Sequence, residues 1–383
     1  MSELVFWAAA ACIAFTYVGF PALLALRAAL FRRPHREAEI LPRVSLLICA
    51  HNEARSIAAR LENALALDYP AERLEIVVAS DGSDDGTPRI AAGYERGGRV
   101  RVLDLPRRGK IPTLNDAVRF ARGEILVFSD ANSHFERGAI RALVRPFADP
   151  EVGGVAGDQR YAKPARRGSD GNDGERAYWA LDRWMKQWQS AAGNVTSATG
   201  AIYAIRSSLF QAVPGGVTDD FWISTRVVAQ HRRLVFAPGA IAREPVAPGA
   251  GAEFQRKVRV MTRGLTGVWL ARALLDPRRH GFYALQLFTH KVLRRLVVVP
   301  LALLLVATPF LIDEGPLYRF AALAQAGLYA AALVGALARK GLGRRRPFAL
   351  PLYFCLVNFA AWQALLNVMR GRRIERWDPQ RAS

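Results

Sequence analysis

The chain has 383 residues, enough for one large or two ordinary domains, and 51% of them are hydrophobic. The formal net charge is +20, but the densest basic clusters flank apolar runs, as in "RAALFRRPHR" and "RKGLGRRR". This placement is typical of cytoplasmic segments beside anionic lipid, and it argues against nucleic acid as a partner.

The apolar runs predict membrane helices on both sides of a mixed central domain. Leu4 to Leu26 is uncharged, long enough to span a bilayer and without a signal-peptide cleavage site, which predicts a retained anchor. Three further runs end at Ile312, Ala338 and Met369. The last contains three amide side chains, so it either crosses the bilayer or re-enters it. We therefore expect an anchor at 1–30, a cytoplasmic domain at 40–275, membrane helices at 280–370 and a basic tail at 371–383.

In the central domain, short apolar runs alternate four times with segments of helical periodicity. The runs are "VSLLIC", "EIVVAS", "RVRVLDL" and "EILVFSD". This alternation predicts an α/β fold with a parallel sheet, in which ligands bind at the carboxyl ends of the strands. No GxGxxG motif follows the first strand and no P-loop motif occurs, which argues against a dinucleotide fold and a P-loop nucleotidase. The polar residues expected at the strand ends are His51, Glu53, Asp81, Lys110, Asp130 and Asn132.

Beyond this sheet, the sequence predicts a surface loop and an interfacial helix. Lys163 to Arg176 is rich in Gly, Asp and Arg, which is typical of a loop. From about residue 252, an apolar face with Phe254 and Val258 alternates with arginines on another face, as in helices at a membrane surface. The three cysteines have neither metal-ligand nor redox spacing.

Seven motifs in order resemble the membrane-bound inverting family 2 glycosyltransferases. They are "CAHNE", "ASDGSDDGT", "GKIPTLNDA", "FSDAN", "TGAIYAIR", "TDDF" and "EFQRKVRVMTRG". The resemblance covers about Val44 to Gly267 and extends to the membrane helices on both sides. It implies a GT-A nucleotide-diphospho-sugar transferase domain with a mostly parallel sheet, one N-terminal and about three C-terminal membrane helices. It also implies the bacterial inner membrane, with the catalytic domain in the cytoplasm.

The resemblance gives the first three motifs roles in donor binding. His51, Glu53 and Asp81 would bind the nucleoside of a UDP-sugar, and Lys110 would lie near its diphosphate at the start of a helix. Two simpler interpretations stay open. The acidic turn from Asp81 to Gly86 would only cap a helix, and Lys110 would be a solvated side chain.

Asp130 and Asn132 stand where the family has its metal-binding Asp-x-Asp pair. A divalent cation, Mn²⁺ or Mg²⁺, takes oxygen ligands, so one carboxylate, one amide oxygen and the diphosphate would suffice. With Asn132 in place of the second aspartate, we expect a metal ion to bind more weakly, but the reaction to use one all the same. Asn132 is also a candidate helix N-cap.

The later motifs imply a catalytic base and an acceptor side. Asp220 resembles the family's general base, which deprotonates the acceptor hydroxyl as it attacks the anomeric carbon opposite the leaving nucleotide. Asp219 is the alternative base. Thr199, Gly200 and Ala201 resemble the small-residue segment that lines the acceptor side.

The clearest departure from the family lies in "EFQRKVRVMTRG". Processive synthases such as cellulose synthase carry Gln-x-x-Arg-Trp here, whereas this chain has Arg256 and Arg259 and no tryptophan. The two arginines would clamp the diphosphate or lie on lipid. The missing tryptophan favours a single transfer over long-chain synthesis.

The expected function is therefore metal-dependent, inverting transfer from a UDP-sugar to a lipid-linked or membrane-held saccharide in exopolysaccharide or cell-envelope glycan synthesis. The expected partners are that donor, a lipid-linked or glycan acceptor and the membrane, without nucleic acid. One alternative is glycosylation of a lipid such as a ceramide-like lipid or diacylglycerol. Another is a catalytically inactive nucleotide-sensing membrane scaffold.

Overall fold

The computed structural model describes residues 1–161, 173–244, 250–338, 343 and 345–372. The described residues divide into two compact units. The sheet unit contains 27–161 and 183–244. The apolar-helix unit contains 1–26, 173–182 and the described part of 250–372.

Within the described residues, the sheet unit is built on one eight-stranded sheet of order β3-β2-β1-β4-β7-β6-β8-β5. Its strands are β1 (Val44–Ala50), β2 (Leu74–Asp81), β3 (Val100–Leu105), β4 (Ile125–Asp130), β5 (His134–Phe135), β6 (Val152–Tyr161), β7 (Tyr203–Arg206) and β8 (Arg233–Glu244).

The first four strands are parallel, and they form the half of the sheet that positions the polar strand ends. β1 lies between β2 and β4, with Cys49 in register with Ala79 and with Asp130. Every residue of β1 is buried, as expected for a parallel strand covered on both faces. β7 then pairs antiparallel with β4 and with β6, whereas β6 and β8 are parallel. The mostly parallel α/β sheet predicted from the sequence is therefore confirmed.

Helices follow the strands in the predicted alternation, although most are shorter than the periodic segments that predicted them. The described helices are α1 (Ser2–Ala14), α2 (Phe20–Leu30), α3 (Ile57–Leu65), α4 (Thr87–Ala92), α5 (Lys110–Phe120), α6 (Ala139–Val144), α7 (Asp173–Ala191), α8 (Asp219–Ala229), α9 (Ala250–Leu270), α10 (Pro277–His280), α11 (Phe282–Leu287), α12 (Arg294–Leu296), α13 (Val298–Ala307), α14 (Pro316–Leu337) and α15 (Arg346–Met369). Of the loop predicted at Lys163 to Arg176, residues 163–172 lie outside the described part of the chain. Its last four residues belong to α7.

The apolar-helix unit contains helices long and apolar enough to cross a membrane. Three such helices are described: Ser2–Leu30, which includes α1, a π-helical turn and α2, and the single helices α14 and α15. Phe282–Leu296 and Val298–Glu314 add a fourth span if this pair, bent by 49°, counts as one. One N-terminal and about three C-terminal apolar helices match the prediction. The basic tail lies, from residue 373 on, outside the described residues.

Polar and aromatic contacts join the helices of this unit. Tyr318 at the start of α14 donates to the Glu3 carboxylate at 2.8 Å and accepts from the Trp7 indole at 3.2 Å. In a second contact of this unit, the rings of Phe254 on α9 and Phe359 on α15 stack with centroids 6.0 Å apart. The helix predicted to be interfacial, α9, thus packs with a C-terminal apolar helix.

Leu46, fully buried at the middle of β1, tests the position of the sheet core. Leu46→Ala should lower the free energy of unfolding by about 2–5 kcal/mol, because a cavity remains where the side chain packed. Phe120→Ala is the control, since Phe120 at the end of α5 is 44% exposed, and it should cost less. Unfolding of the full chain in detergent measures both, and equal losses would contradict this placement of the core.

Candidate active site

Hydrogen bonds tie together the loops that follow β1 and β2. The Nδ1–H of His51 donates to the Asp81 carbonyl at 2.8 Å, and the Glu53 N–H donates to Thr87 Oγ1 at 2.8 Å. His51 and Glu53 are both buried. The ends of these adjacent parallel strands thus bring together the three residues that the resemblance assigns to the nucleoside.

In the acidic turn after β2, Asp85 lies two residues before the start of α4. Its carboxylate accepts hydrogen bonds from the Thr87 N–H at 3.0 Å and from the Ala54 N–H at 2.9 Å. Partial burial opposes ionisation of Asp85, but these hydrogen bonds hold the pKa of its carboxyl below the usual value. Asp85 thus holds the first residue of α4, Thr87, while Gly86 occupies the cap position of that helix.

Asp81 is fully buried and holds the start of α5. Its Oδ1 accepts from the backbone N–H groups of Arg108 at 2.8 Å and Gly109 at 2.9 Å, and from Thr113 Oγ1 at 3.1 Å. Gly82 permits this close approach, because it has a φ of 55° and a Cβ there would lie 2.6 Å from the Arg107 backbone nitrogen. Asp81 thereby fixes the position of Lys110, the residue after Gly109.

The ammonium of Lys110 lies between two carboxylates from distant parts of the chain. Its Nζ is 2.7 Å from Asp130 Oδ1 at the end of β4 and 3.0 Å from Asp219 Oδ2 at the start of α8. Burial opposes its charge, but the two carboxylates hold the pKa of Lys110 well above the usual value. Lys110 is therefore a half-buried member of an ion cluster, with 15% of its side chain exposed, and not a solvated side chain.

The carboxylate of Asp130 is partly open to solvent, with 34% of its side chain exposed. A Cβ at Gly200 would lie 3.0 Å from Asp130 Oδ2, so a larger residue at position 200 would crowd this oxygen. Asn132 is exposed in the same turn. These oxygen donors, with room beside them, fit a divalent cation such as Mn²⁺ or Mg²⁺. In the part of the chain that the structure describes, no group of three or more His, Cys, Asp and Glu side chains could hold a metal ion. A cation here would therefore need further ligands from a diphosphate or water.

The two candidate bases occupy the first turn of α8 and face different groups. Asp219 contacts Lys110, as described, whereas Asp220 Oδ1 accepts from the Phe221 N–H at 2.7 Å. The Ala198 N–H donates to Ser224 Oγ on α8 at 3.0 Å. This bond ties the segment before Thr199 to the helix that carries the candidate bases.

The segment predicted to line the acceptor side reaches the same cluster. Gly200 lies against Asp130, and Ala201 is buried. The Thr199 hydroxyl is buried and has no hydrogen-bond partner among the described residues. A buried hydroxyl left without a partner costs about 1–3 kcal/mol, so water or a bound ligand is expected to complete it.

Tyr203, which sequence reasoning missed, lies behind the carboxylates. Its ring is fully buried and stacks on Phe128, with centroids 4.8 Å apart. Burial raises the pKa of Tyr203 well above the usual value, and the charges of Asp219, Asp220 and Asp130 add to this shift. All three carboxylates are thus within electrostatic reach of one phenol. Tyr203 faces the same side of the sheet as Phe128 because β7 pairs with β4 in a register that sets these two residues opposite each other.

Glu244, the last residue of β8, is a second functional candidate that sequence reasoning missed. Its Oε1 accepts from Ser133 Oγ at 2.6 Å, and its Oε2 accepts from the side-chain amide of Gln159. Burial and the nearby charge of Asp130 raise the pKa of Glu244 to about 7. No motif marks this glutamate in the sequence, because its neighbours lie 85 and 111 residues away.

Arg256 and Arg259 lie on α9, in the apolar-helix unit. Both are partly exposed. The diphosphate contact that the resemblance assigns to them stays a prediction.

Comparison with known proteins identifies the sheet unit. Residues 45–213 match the family model "Glycosyl transferase family 2". The poly-beta-1,6-N-acetyl-D-glucosamine synthase of Staphylococcus epidermidis is 24% identical over 239 residues, which are 61% of this chain and 56% of that protein. The synthase of the same name from Staphylococcus aureus strain COL is 25% identical over 240 residues, 61% of this chain and 57% of that protein. The matched part is thus little more than half the length of these relatives.

A solved structure resembles the chain over nearly its whole length. The mannosyltransferase PcManGT from Pyrobaculum calidifontis, in complex with GDP-Man and Mn²⁺, superposes with a TM-score of 0.69 at 23% sequence identity. The match covers 97% of this chain and 100% of that one. At this identity the likeness establishes the fold. Residues 45–213 therefore form a glycosyl transferase family 2 domain, in a chain with a GT-A fold.

Proposed function

We propose that this glycosyltransferase moves a sugar, with inversion and with a divalent cation, from a UDP-sugar to a lipid-linked or membrane-held saccharide. The observation that carries the proposal is the Lys110 ammonium held between Asp130 and Asp219. One cation among several carboxylates at the ends of parallel strands suits a nucleotide diphosphate that arrives with a metal ion.

The chain's own residues supply the leaving-group side of the reaction. Lys110 begins α5, so both its ammonium and the helix N-terminus favour negative charge at this point. As the bond from the anomeric carbon to the diphosphate breaks, these groups stabilise the charge that develops on the departing UDP. A divalent cation held by Asp130 and Asn132 would neutralise part of the same charge when bound.

Asp220 is proposed as the base on the acceptor side. Asp219 already forms an ion pair with Lys110 at 3.0 Å, on the side proposed for the leaving group. Asp220 takes the proton of the acceptor hydroxyl, whose oxygen forms the new bond to the anomeric carbon opposite the departing UDP. One displacement of this kind inverts the configuration at that carbon.

The relatives suggest where the search for donor and acceptor should begin. Two are named for a polymer of N-acetylglucosamine, and PcManGT was solved with GDP-Man and Mn²⁺. UDP-N-acetylglucosamine is therefore the first donor to try, with GDP-mannose as the competing class. The apolar helices support an acceptor held at a membrane, and we place the enzyme in the bacterial inner membrane. Exopolysaccharide or cell-envelope glycan synthesis fits both features.

Donor use tests the proposal directly. The detergent-purified full chain, given a panel of UDP-sugars and GDP-mannose, should release its nucleotide from one donor only. Release should require Mn²⁺ or Mg²⁺ and stop with chelator, because the Asp130 carboxylate repels the diphosphate unless a cation lies between them. Asp130→Ala should abolish release. The proposal fails if the folded protein releases nucleotide from no donor and no donor stabilises it thermally. If a donor stabilises the protein but no nucleotide is released, whichever acceptor is added, the nucleotide-sensing scaffold is favoured.

The identity of the base can be tested with two matched substitutions in one helical turn. Asp220→Asn should lower kcat by about 10²–10⁴-fold with little change in donor KM, because a general base acts in the transition state. Asp219→Asn should raise the donor KM about tenfold, because Lys110 loses one of the two carboxylates that hold its ammonium in position. Steady-state kinetics at saturating metal separates the two effects. The reverse pattern would make Asp219 the base.

A further inference from the structure

The turn that carries Asp130 and Asn132 is held from three sides. Arg60 on α3, itself fully buried, donates to Ser129 Oγ at 3.0 Å. Asn63, one helical turn later, exchanges two hydrogen bonds with the backbone of Phe135, at 2.8 and 2.9 Å. The third anchor is Glu244, which accepts from Ser133 at 2.6 Å.

Glu244 reaches this turn from the far end of the sheet. The two-residue strand β5 pairs with β8, so that His134 is in register with Arg243. This pairing sets the next residue of β8, Glu244, beside Ser133, which is fully buried. Because the Ser133 N–H also donates to the Asp130 carbonyl at 3.2 Å, a shift of Ser133 would move the metal-site turn.

The third anchor differs from the other two because it is a carboxylate. A neutral amide would also accept the Ser133 hydroxyl, and burying a carboxylate costs more than burying an amide. Glu244 is moreover within electrostatic reach of Asp130 and of Lys110. Glu244 thus adds a third carboxyl group to the two that contact Lys110 in the described part of the site, and a cation bound at Asp130 would favour its ionised form, because it cancels the repulsion from Asp130. Such an excess of negative charge raises the affinity for a cation.

We propose that Glu244 is a positioning residue for metal binding. It holds the Asp130–Ser133 turn in place and adds the negative charge that compensates for an asparagine at position 132. This inference rests on the proposed function, since it concerns the same donor site.

The test is the binding of Mn²⁺ and UDP to the purified full chain by calorimetry, without turnover. Glu244→Gln keeps the shape and removes the charge. It should weaken Mn²⁺-dependent UDP binding about tenfold or more, while the unfolding temperature and kcat at saturating Mn²⁺ change little. Glu136→Gln is the matched control, because Glu136 directly follows β5 and pairs with Arg243 of β8, but 39% of its side chain is exposed. It should leave binding unchanged.

Two outcomes overturn the inference. If the unsubstituted protein shows no metal-dependent UDP binding, the proposed function fails and this role fails with it. If it binds and Glu244→Gln leaves the Mn²⁺ dependence unchanged, this role alone fails. Should Glu244→Gln not fold, Ser133→Ala takes its place. That variant should weaken Mn²⁺-dependent binding several-fold, and unchanged binding would equally overturn the role.

Discussion

The ion cluster of Lys110, Asp130 and Asp219 is the interaction on which the rest of the site depends. Each pair of opposite charges is worth on the order of 4 kcal/mol at 4 Å in a partly buried site, before desolvation is subtracted. These two contacts join the start of α5, the end of β4 and the start of α8. Asp81 supports the cluster, because the hydrogen bonds that it accepts from the backbone of Arg108 and Gly109 determine where α5 begins with Lys110. The cluster is also where a nucleotide diphosphate and its cation would find opposite charge on both sides.

Much of the sheet could be predicted from the sequence, and so could the chemistry at its strand ends. Buried parallel strands give continuous apolar runs, and the polar residue that ends each run marks the ligand edge, as with Asp81 and Asp130. Helix bounds were less predictable. The helix expected after β1 begins only at Ile57, because the residues from His51 on form hydrogen bonds with the next loop.

The parts that sequence could not predict depend on long-range packing. Nothing near Glu244 in the chain marks it as functional, since Ser133 and Gln159 become its neighbours only when β8 pairs with β5 and β6. Likewise, the motif "TDDF" named two candidate bases, and only the fold distinguishes Asp219, which contacts Lys110, from Asp220. The role of Asp81 as the anchor of α5 was also hidden, because its partners lie 27 to 32 residues away, and its contact with the nucleoside stays a prediction.

A structure of the full chain with UDP and Mn²⁺ would test the central claim most directly. The account predicts that the diphosphate lies against Lys110 and Asp130, with the cation on the side of Asp130 that Gly200 leaves open. Asp220 would then face the opposite side, where an acceptor hydroxyl must enter. A nucleotide bound elsewhere, with the contacts from Lys110 to Asp130 and Asp219 unchanged, would contradict the account.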